Sequence, residues 1–378
     1  MNFKKIEDLE KKYYAGVFSR LPVAVDHGKG VYLYDVKGKR YLDFFAGIAV
    51  NVLGHCHPKV TKTIAKQAGM LVHTSNWLYT KPQLELAKLL TKITKQDRVF
   101  FTNDGTEAVE AAIKLVRSTT GKKEIIAMKN AFHGRTLGSL SLTWDEKFRK
   151  PFEPLVPGVK FVEYNNVKKL ESAITGNTAA VILEPIQGEA GVIIPDVGYL
   201  KKVREMTERE GVLLVLDEVQ TGLGRTGKLF AYEHEDVKPD ILCLGKALGN
   251  GFPIGAALYN GMDFKTVEHG GTFVGNPLAC AVSKTVVETV INENLPKKSA
   301  KLGLYLLKEL KEGLGLRARG RGLMMGIEVK DGKKTVLDLI ERSVLTIHTK
   351  NTVRILPPLI IEKKHADLFL ERIGSLRV

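Results

Sequence analysis

The stretches VLLVLDEVQTG (212–222) and ILCLGKALGNG (241–251) decide the fold. Each begins as a continuous apolar run of strand length, which is typical of a strand buried on both faces of a parallel sheet. Four similar runs precede them, namely RVFFT (98–102), EIIAM (124–128), VKFVE (159–163) and AAVIL (179–183). Helical patterns alternate with these runs, as in TEAVEAAIKLVRS (106–118) and YLKKVREMTERE (199–210). This order predicts an α/β layered domain with a mostly parallel sheet.

The two ends of the chain have a different pattern. Residues 23–45 predict a hairpin, in which VYLYD and KRYLDFF flank a turn at Lys37 and Gly38. The C-terminal part mixes helices with short strands such as LMMGIEV (323–329) and VRIL (353–356). We therefore predict a large domain at 46–277 and a smaller α+β domain, which combines residues 1–45 with residues 278–378.

Composition narrows the class of protein. The chain has 378 residues, 44% of them hydrophobic, and a net charge of +15. It carries three widely spaced cysteines, without CxxC spacing, and its first residues do not resemble a secretory signal. No apolar run approaches the ~18 residues of a membrane span, and no dense basic run interleaved with aromatic residues suggests nucleic-acid binding. We expect a cytoplasmic protein without a metal site, and an acidic protein partner stays open because of the basic balance.

Two chemically distinctive side chains follow two of the predicted strands. Asp217 comes directly after VLLVL, and Lys246 follows ILCLG. Open α/β sheets bind ligands at the carboxyl ends of their strands. A lysine behind apolar residues is desolvated and readily attacks a carbonyl, although a surface lysine that begins a helix has the same pattern. The lysine alone leaves both interpretations open.

The segment FFTNDGTEAVEAA (100–112) adds a third feature, since a strand turns directly into a helix there. The backbone N–H groups of Gly105 and Thr106, together with the helix dipole, could hold a phosphate. Pyridoxal phosphate requires an amine for its aldehyde, a carboxylate for its pyridine nitrogen and an anion site. Lys246, Asp217 and this helix start supply all three. An ATPase aspartate is the alternative for Asp217, but no GxxxxGK[ST] loop accompanies it.

Four longer motifs resemble the class III aminotransferases of fold type I. They are LEPIQGEAGV (183–192), LDEVQTGLGRTGKLFAYE (216–233), DILCLGKALGNGFPIGA (240–256) and GGTFVGNPLA (270–279). Two others, GIAVNVLGHCHP (47–58) and AFHGRTLGSLSLT (131–143), are similar to acetylornithine aminotransferases and their lysine-pathway relatives. The resemblance implies a transaminase on the fold of type I pyridoxal-phosphate enzymes. Its amino donor would be acetylornithine, and its acceptor 2-oxoglutarate.

The resemblance also implies roles for individual residues. Lys246 would be the catalytic Schiff-base lysine and Asp217 the partner of the pyridine nitrogen. The remaining implied cofactor contacts are Gly105, Thr106, Phe132, Glu218, Val219, Gln220 and Thr272, the last from the other subunit of a homodimer. Implied substrate residues are Arg135, Glu189, Gly271 and Arg354, with Glu184 in support. Planar guanidinium groups suit substrate carboxylates, and Glu189 would mask Arg354 until glutamate binds.

Four positions depart from the family pattern. Asp104 stands where the family generally has Ser or Thr, although a carboxylate beside a phosphate is unfavourable unless it turns away. Asn250 interrupts a run that is usually all glycine. Thr272 matches the family's phosphate-binding threonine. Gly271 before it and Val274 after it replace the residues that the family usually has there. These departures concern the details of phosphate and substrate contacts.

Other functions compete with acetylornithine transamination. Lysine-pathway relatives act on an aminoadipate semialdehyde attached to an acidic carrier protein, and GSLSLTWDEKFRKPFEPL (138–155) resembles them. Enzymes for free ornithine tend to have tyrosine where Ile48 stands, and 4-aminobutyrate transaminases, aminomutases and decarboxylases share the cofactor residues. A non-enzymatic binding protein is a further alternative. The string GLGRTG (222–227) matches a dinucleotide motif without its strand–helix context, so we expect a loop near the active-site entrance.

Overall fold

A seven-stranded sheet forms the centre of the fold in the computed structural model, which describes residues 1–376. The strands are β1 (Val25–Lys29), β2 (Tyr32–Asp35), β3 (Arg40–Asp43), β4 (Arg98–Thr102), β5 (Glu124–Met128), β6 (Val159–Val162), β7 (Thr178–Leu183), β8 (Leu213–Asp217), β9 (Ile241–Leu244), β10 (Gly255–Tyr259), β11 (Ala318–Arg321), β12 (Met324–Glu328), β13 (Val344–Leu345), β14 (Ile347–Thr349) and β15 (Thr352–Ile355). The central sheet has the order β4-β10-β9-β8-β7-β5-β6.

Helices lie between these strands along the chain and at its two ends. They are α1 (Phe3–Tyr13), α2 (Ala46–Ala49), α3 (Pro58–Ala68), α4 (Lys81–Thr94), α5 (Gly105–Thr120), α6 (Leu137–Ser141), α7 (Glu146–Arg149), α8 (Val167–Ala173), α9 (Tyr199–Arg209), α10 (Pro277–Asn292), α11 (Leu295–Lys308), α12 (Gly332–Glu341) and α13 (Lys363–Gly374). No helix within the described residues is long and apolar enough to cross a membrane.

The central sheet confirms the predicted α/β fold. All six predicted strands are present, and β6, β5, β7, β8 and β9 pair in parallel. Strand β10, which runs antiparallel between β4 and β9, was not predicted. Its residues begin Gly-Ala-Ala, and such small side chains have little strand propensity.

Burial on both faces explains the continuous apolar runs. In β8, Leu214 and Leu216 pack into the same cluster as Val203 of α9. Val215 points to the opposite face and belongs to the cluster that contains Ala112 of α5. Alternate residues of one strand therefore serve two helix layers, and polar residues have no solvent face to occupy.

The two ends of the chain meet in one sheet. Strands β2 and β3 form the predicted hairpin, and β1, which was not predicted, pairs with β2 in antiparallel. Strand β13 joins β3 in parallel with Val344 opposite Leu42. A further sheet has the order β11-β12-β15-β14. This pairing supports a smaller domain built from both chain ends, while the boundaries 45/46 and 277/278 stay a proposal.

Candidate active site

A cavity of about 430 Å³ lies where β8, β9 and β4 end. β8 and β9 are parallel neighbours, and β4 runs the same way because β10 is antiparallel to both β4 and β9. Their carboxyl ends therefore meet at one edge of the sheet, as ligand sites of open α/β sheets do. The predicted site residues that line the cavity are Gly105, Thr106, Phe132, Arg135, Glu184, Glu189, Asp217, Val219, Gln220 and Lys246.

Lys246 begins a single 3₁₀ turn, Lys246–Leu248, directly after β9. Desolvation lowers the pKa of its ammonium group, against the raising effect of the Asp217 charge. None of the described carboxylates lies within 4.0 Å of its Nζ. A larger share of the amine is therefore neutral, and it is available to attack a carbonyl.

Asp217 is held from two sides at the end of β8. Its Oδ1 accepts a hydrogen bond from the Val219 N–H at 3.0 Å, and its Oδ2 lies 2.7 Å from Nδ1 of His133. The His133 side chain is fully buried and also lines the cavity. His133 lies within the motif AFHGRT, but its role was not predicted, since a lone buried histidine has no spacing signal.

The start of α5 faces the cavity with free backbone donors. Asp104 is the N-cap residue, and its Oδ1 accepts from the Glu107 N–H at 2.9 Å. Its carboxylate is thereby committed to the helix end. A Cβ at Gly105 would lie 2.5 Å from Cγ1 of Val219, so only glycine permits this approach of helix and strand end. Asp104, which stands where the family generally has Ser or Thr, is thus accommodated as the cap of the helix.

Glu184 is a buried carboxyl beneath the cavity wall. Its Oε1 accepts from the Phe132 N–H and its Oε2 from the Gly188 N–H, both at 3.0 Å. Burial raises the pKa of Glu184 to about 7, although the nearby His133 opposes this shift. Glu184 thus fixes the backbone of Phe132, whose ring forms part of the wall, and that of Gly188.

Arg354 lies behind the cavity on β15 and is almost completely buried. Its guanidinium donates to Oε1 of Glu189 at 2.8 Å and to Oε1 of Gln220 at 3.1 Å. The arginine is therefore charge-paired and linked to two residues that line the cavity. The other predicted arginine, Arg135, is exposed, and its guanidinium lies 4.3 Å from the ring centroid of Phe148.

Three predicted site residues lie elsewhere. The Glu218 carboxylate points away from the cavity and accepts from the N–H groups of Ala231 and Tyr232, so its implied contact with the cofactor stays a prediction. Residues alternate direction at a strand end, which sends Asp217 and Glu218 to opposite sides. Gly271 and Thr272 line a separate cavity at the surface beside Trp77.

The GLGRTG segment is not an entrance loop, and that expectation is wrong. Its Arg225 is fully buried and donates to the carbonyl oxygens of Leu323 and Pro357. A Cβ added at Gly227 would lie only 3.0 Å from the Cβ of Ala300. The glycines therefore serve close packing between the central sheet and the C-terminal part.

This fold and cavity define an enzyme of fold type I that depends on pyridoxal phosphate. Within that class, the chain belongs to the aminotransferase class-III family, whose model matches residues 13–376. This confirms the resemblance seen in the sequence and the prediction of a transaminase.

Individual relatives cover the whole chain. The acetylornithine aminotransferase of Methanothermobacter thermautotrophicus is 47% identical, over 100% of this chain and 99% of its own. A solved acetylornithine aminotransferase from Elizabethkingia anophelis has a TM-score of 0.90 at 37% identity and covers 99% of this chain and 98% of that one. A structure of ornithine aminotransferase from Toxoplasma gondii, with partial occupancy of PLP, has a TM-score of 0.95 at 34% identity, over 99% and 93% of the two chains.

The residues present fit pyridoxal phosphate. The cavity combines a desolvated amine, a buried carboxylate and a helix start with free N–H groups, which are the three elements that the cofactor requires. Its volume lies in the range of small-molecule sites, ~300–1,000 Å³.

Proposed function

We propose that this transaminase moves the terminal amino group of N2-acetylornithine to 2-oxoglutarate, giving N-acetylglutamate semialdehyde and glutamate. Acetylornithine aminotransferases from several archaea, 44–48% identical over nearly the whole chain, support this donor. The observation that carries the proposal is the buried Arg354 paired with Glu189 at the cavity wall. The same site must accept a donor and an acceptor that place their carboxylates differently. The ion pair of Arg354 and Glu189 can stay closed for one of them and open for the other.

Pyridoxal phosphate, when bound, supplies an electron sink for the carbon that loses its amino group. Lys246 would attach the cofactor and then move the proton of that carbon with its Nζ. Asp217 would hold the positive charge of the pyridine nitrogen, and the His133 contact would keep the carboxylate aimed at it. Gly105 and Thr106 would bind the phosphate, and Phe132, Val219 and Gln220 would confine the ring.

The two arginines would recognise carboxylates at different distances from the amine. While Glu189 is paired with Arg354, the charge of the arginine is balanced. This state suits the reacting end of N2-acetylornithine, which carries no carboxylate. Glutamate brings a carboxylate that can replace Glu189, since guanidinium binds either carboxylate in a planar fork. Arg135 would bind the distant carboxylate, with Phe148 stacked beneath it.

A homodimer is part of the proposal. Trp77 and Tyr79 are 94% and 95% exposed, although large aromatic side chains are usually covered. They lie near the surface cavity of about 850 Å³ that contains Thr272. A second copy on this face would bury the aromatic residues and could bring its Thr272 to the phosphate.

We also propose that the protein is cytoplasmic.

A carrier-linked donor of lysine biosynthesis is the second candidate. A further cavity, of about 590 Å³, shares Phe132 and Glu189 with the cofactor cavity. It contains Lys147 and Lys350 and could hold an extension beyond the acetyl group. The net charge of +15 would suit an acidic carrier.

Donor kinetics at two salt concentrations separate these candidates. The proposal predicts rapid turnover of free N2-acetylornithine, a poor rate with ornithine or 4-aminobutyrate, and little dependence on salt. Slow turnover of the free compound would favour the carrier, particularly if a carrier-linked donor reacts at a rate that falls steeply with salt.

A further inference from the structure

The short segment α2 is in fact a left-handed turn, and Val50, which follows it, lines the cofactor cavity. Ala46, Gly47, Ile48 and Ala49 have φ angles of 49°, 63°, 66° and 63°. Residues with side chains avoid this region, and a β-branched residue there is an outlier. The surrounding structure must therefore hold the turn from both ends.

Asp43 holds the N-terminal end. Its Oδ1 accepts from the N–H groups of Phe45 and Ala46 at 3.0 and 2.8 Å, and its Oδ2 lies 2.7 Å from Nε2 of His55. Asp43 is completely buried. The entry into the turn is thus fixed by a carboxylate that belongs to the end of β3.

Asn250 holds the C-terminal end. Its Oδ1 accepts from the Leu53 N–H at 2.7 Å, and its Nδ2 donates to the Gly54 carbonyl at 3.1 Å. The φ of Asn250 is 47°, a conformation that asparagine adopts more readily than most residues. The residue that departs from the family's glycine run therefore makes two buried hydrogen bonds across 196 or more positions of sequence.

Asn250 also has a fixed relation to Lys246. Its own N–H donates to the carbonyl of Ala247, within the turn that Lys246 begins. Val50 lies between the left-handed turn and Leu53, and it lines the cavity together with Gly251. Asn250 therefore connects the segment that carries Val50 to the turn that carries Lys246.

We propose that Asn250 is a positioning residue that fixes the Val50 wall relative to Lys246 and thereby the fit of the amino donor. The proposal rests on the proposed function only in that the cavity receives an amino donor. A glycine at this position would keep the backbone conformation and lose both hydrogen bonds, so the wall would move independently of the lysine.

Asn250→Gly in the holoenzyme tests this role. We expect the KM for N2-acetylornithine and for glutamate to rise about tenfold, with a smaller change in kcat, from the loss of two buried hydrogen bonds. Hydrogen exchange at the Leu53 amide should accelerate by at least the same factor. Asn250→Ala should show the same kinetics with lower stability, because alanine is strained at this φ.

Asn165→Gly is the matched control. Asn165 is also left-handed, with φ 64°, and its Oδ1 accepts from the Asp196 N–H at 3.0 Å outside the cavity. It should leave both KM values unchanged. Unchanged KM values in Asn250→Gly, or unchanged exchange at Leu53, would overturn the proposal. A wild-type enzyme that uses glutamate but not N2-acetylornithine would refute the proposed donor alone, and the glutamate KM would still decide the role of Asn250.

Discussion

Three ionisable residues are buried next to one another at the cavity. Asp217, His133 and Glu184 form a cluster in which three ionisable groups share a space with little water. The Asp217 carboxylate favours a protonated ring nitrogen beside it, whereas the Glu184 carboxyl adds no negative charge at pH values below its raised pKa. Below that pKa, Asp217 is the carboxylate of this cluster that stabilises the protonated ring.

Glu184→Gln tests this cluster through stability. Burial raises the pKa of Glu184 to about 7, whereas the unfolded chain titrates near its usual ~4.3. The folded state binds the proton more tightly, so the free energy of unfolding is highest below the unfolded pKa and falls as pH rises toward 7. Glutamine cannot ionise. We therefore expect urea unfolding to show a smaller decrease in the free energy of unfolding from about pH 5 to about pH 8 for the variant than for the wild type.

The exposed Glu312, in Glu312→Gln, provides the control. It should follow the wild-type pH dependence. Equal losses in Glu184→Gln and the wild type would mean that Glu184 is not the group responsible.

At the scale of elements, the strands were predictable and the loop contacts were not. Continuous apolar runs predicted six of the seven central strands, because burial on both faces leaves a strong signal. The sequence also placed Asp217 and Lys246 at one edge, since parallel strands end together. The contact between Asn250 and Leu53 joins residues far apart in sequence, and no local pattern encodes it.

The end of α4 gives a prediction at this scale. Lys95 is exposed and left-handed at the helix C-cap, with φ 57°. Lys95→Gly should raise the free energy of unfolding by about 0.5–1 kcal/mol, because glycine has no Cβ to strain there. Lys92→Gly, at an exposed position inside the same helix, should lower it by about 1 kcal/mol. Thermal or urea unfolding measures both, and the same sign for the two would contradict the account.

At the scale of the molecule, the proposed homodimer explains two otherwise isolated facts. Thr272 matches a phosphate-binding threonine of the family, yet it lines a surface cavity outside the cofactor cavity. Trp77, which lines the same surface cavity, exposes its ring, and so does Tyr79 two positions along the chain. Sequence similarity could predict such a shared site, whereas composition and periodicity could not.

Trp77→Asp is expected to produce monomers, because a charge in an apolar interface is costly to bury. Sedimentation or light scattering would measure the mass, and cofactor affinity should fall together with it. Val197→Asp changes a residue that is 86% exposed and lies outside the surface cavity, and it should remain dimeric. A Trp77→Asp protein with the wild-type mass would contradict the interface, and a monomeric wild type would contradict the dimer.

We propose above all that Lys246 carries the cofactor of a transaminase for N2-acetylornithine. The most direct measurement is the absorbance of the purified holoenzyme after addition of N2-acetylornithine alone, with the semialdehyde product quantified. We predict a spectral change with one equivalent of product in the wild type and in Lys62→Ala, an exposed lysine of α3, and neither in Lys246→Ala. The same change and product in Lys246→Ala would contradict the account.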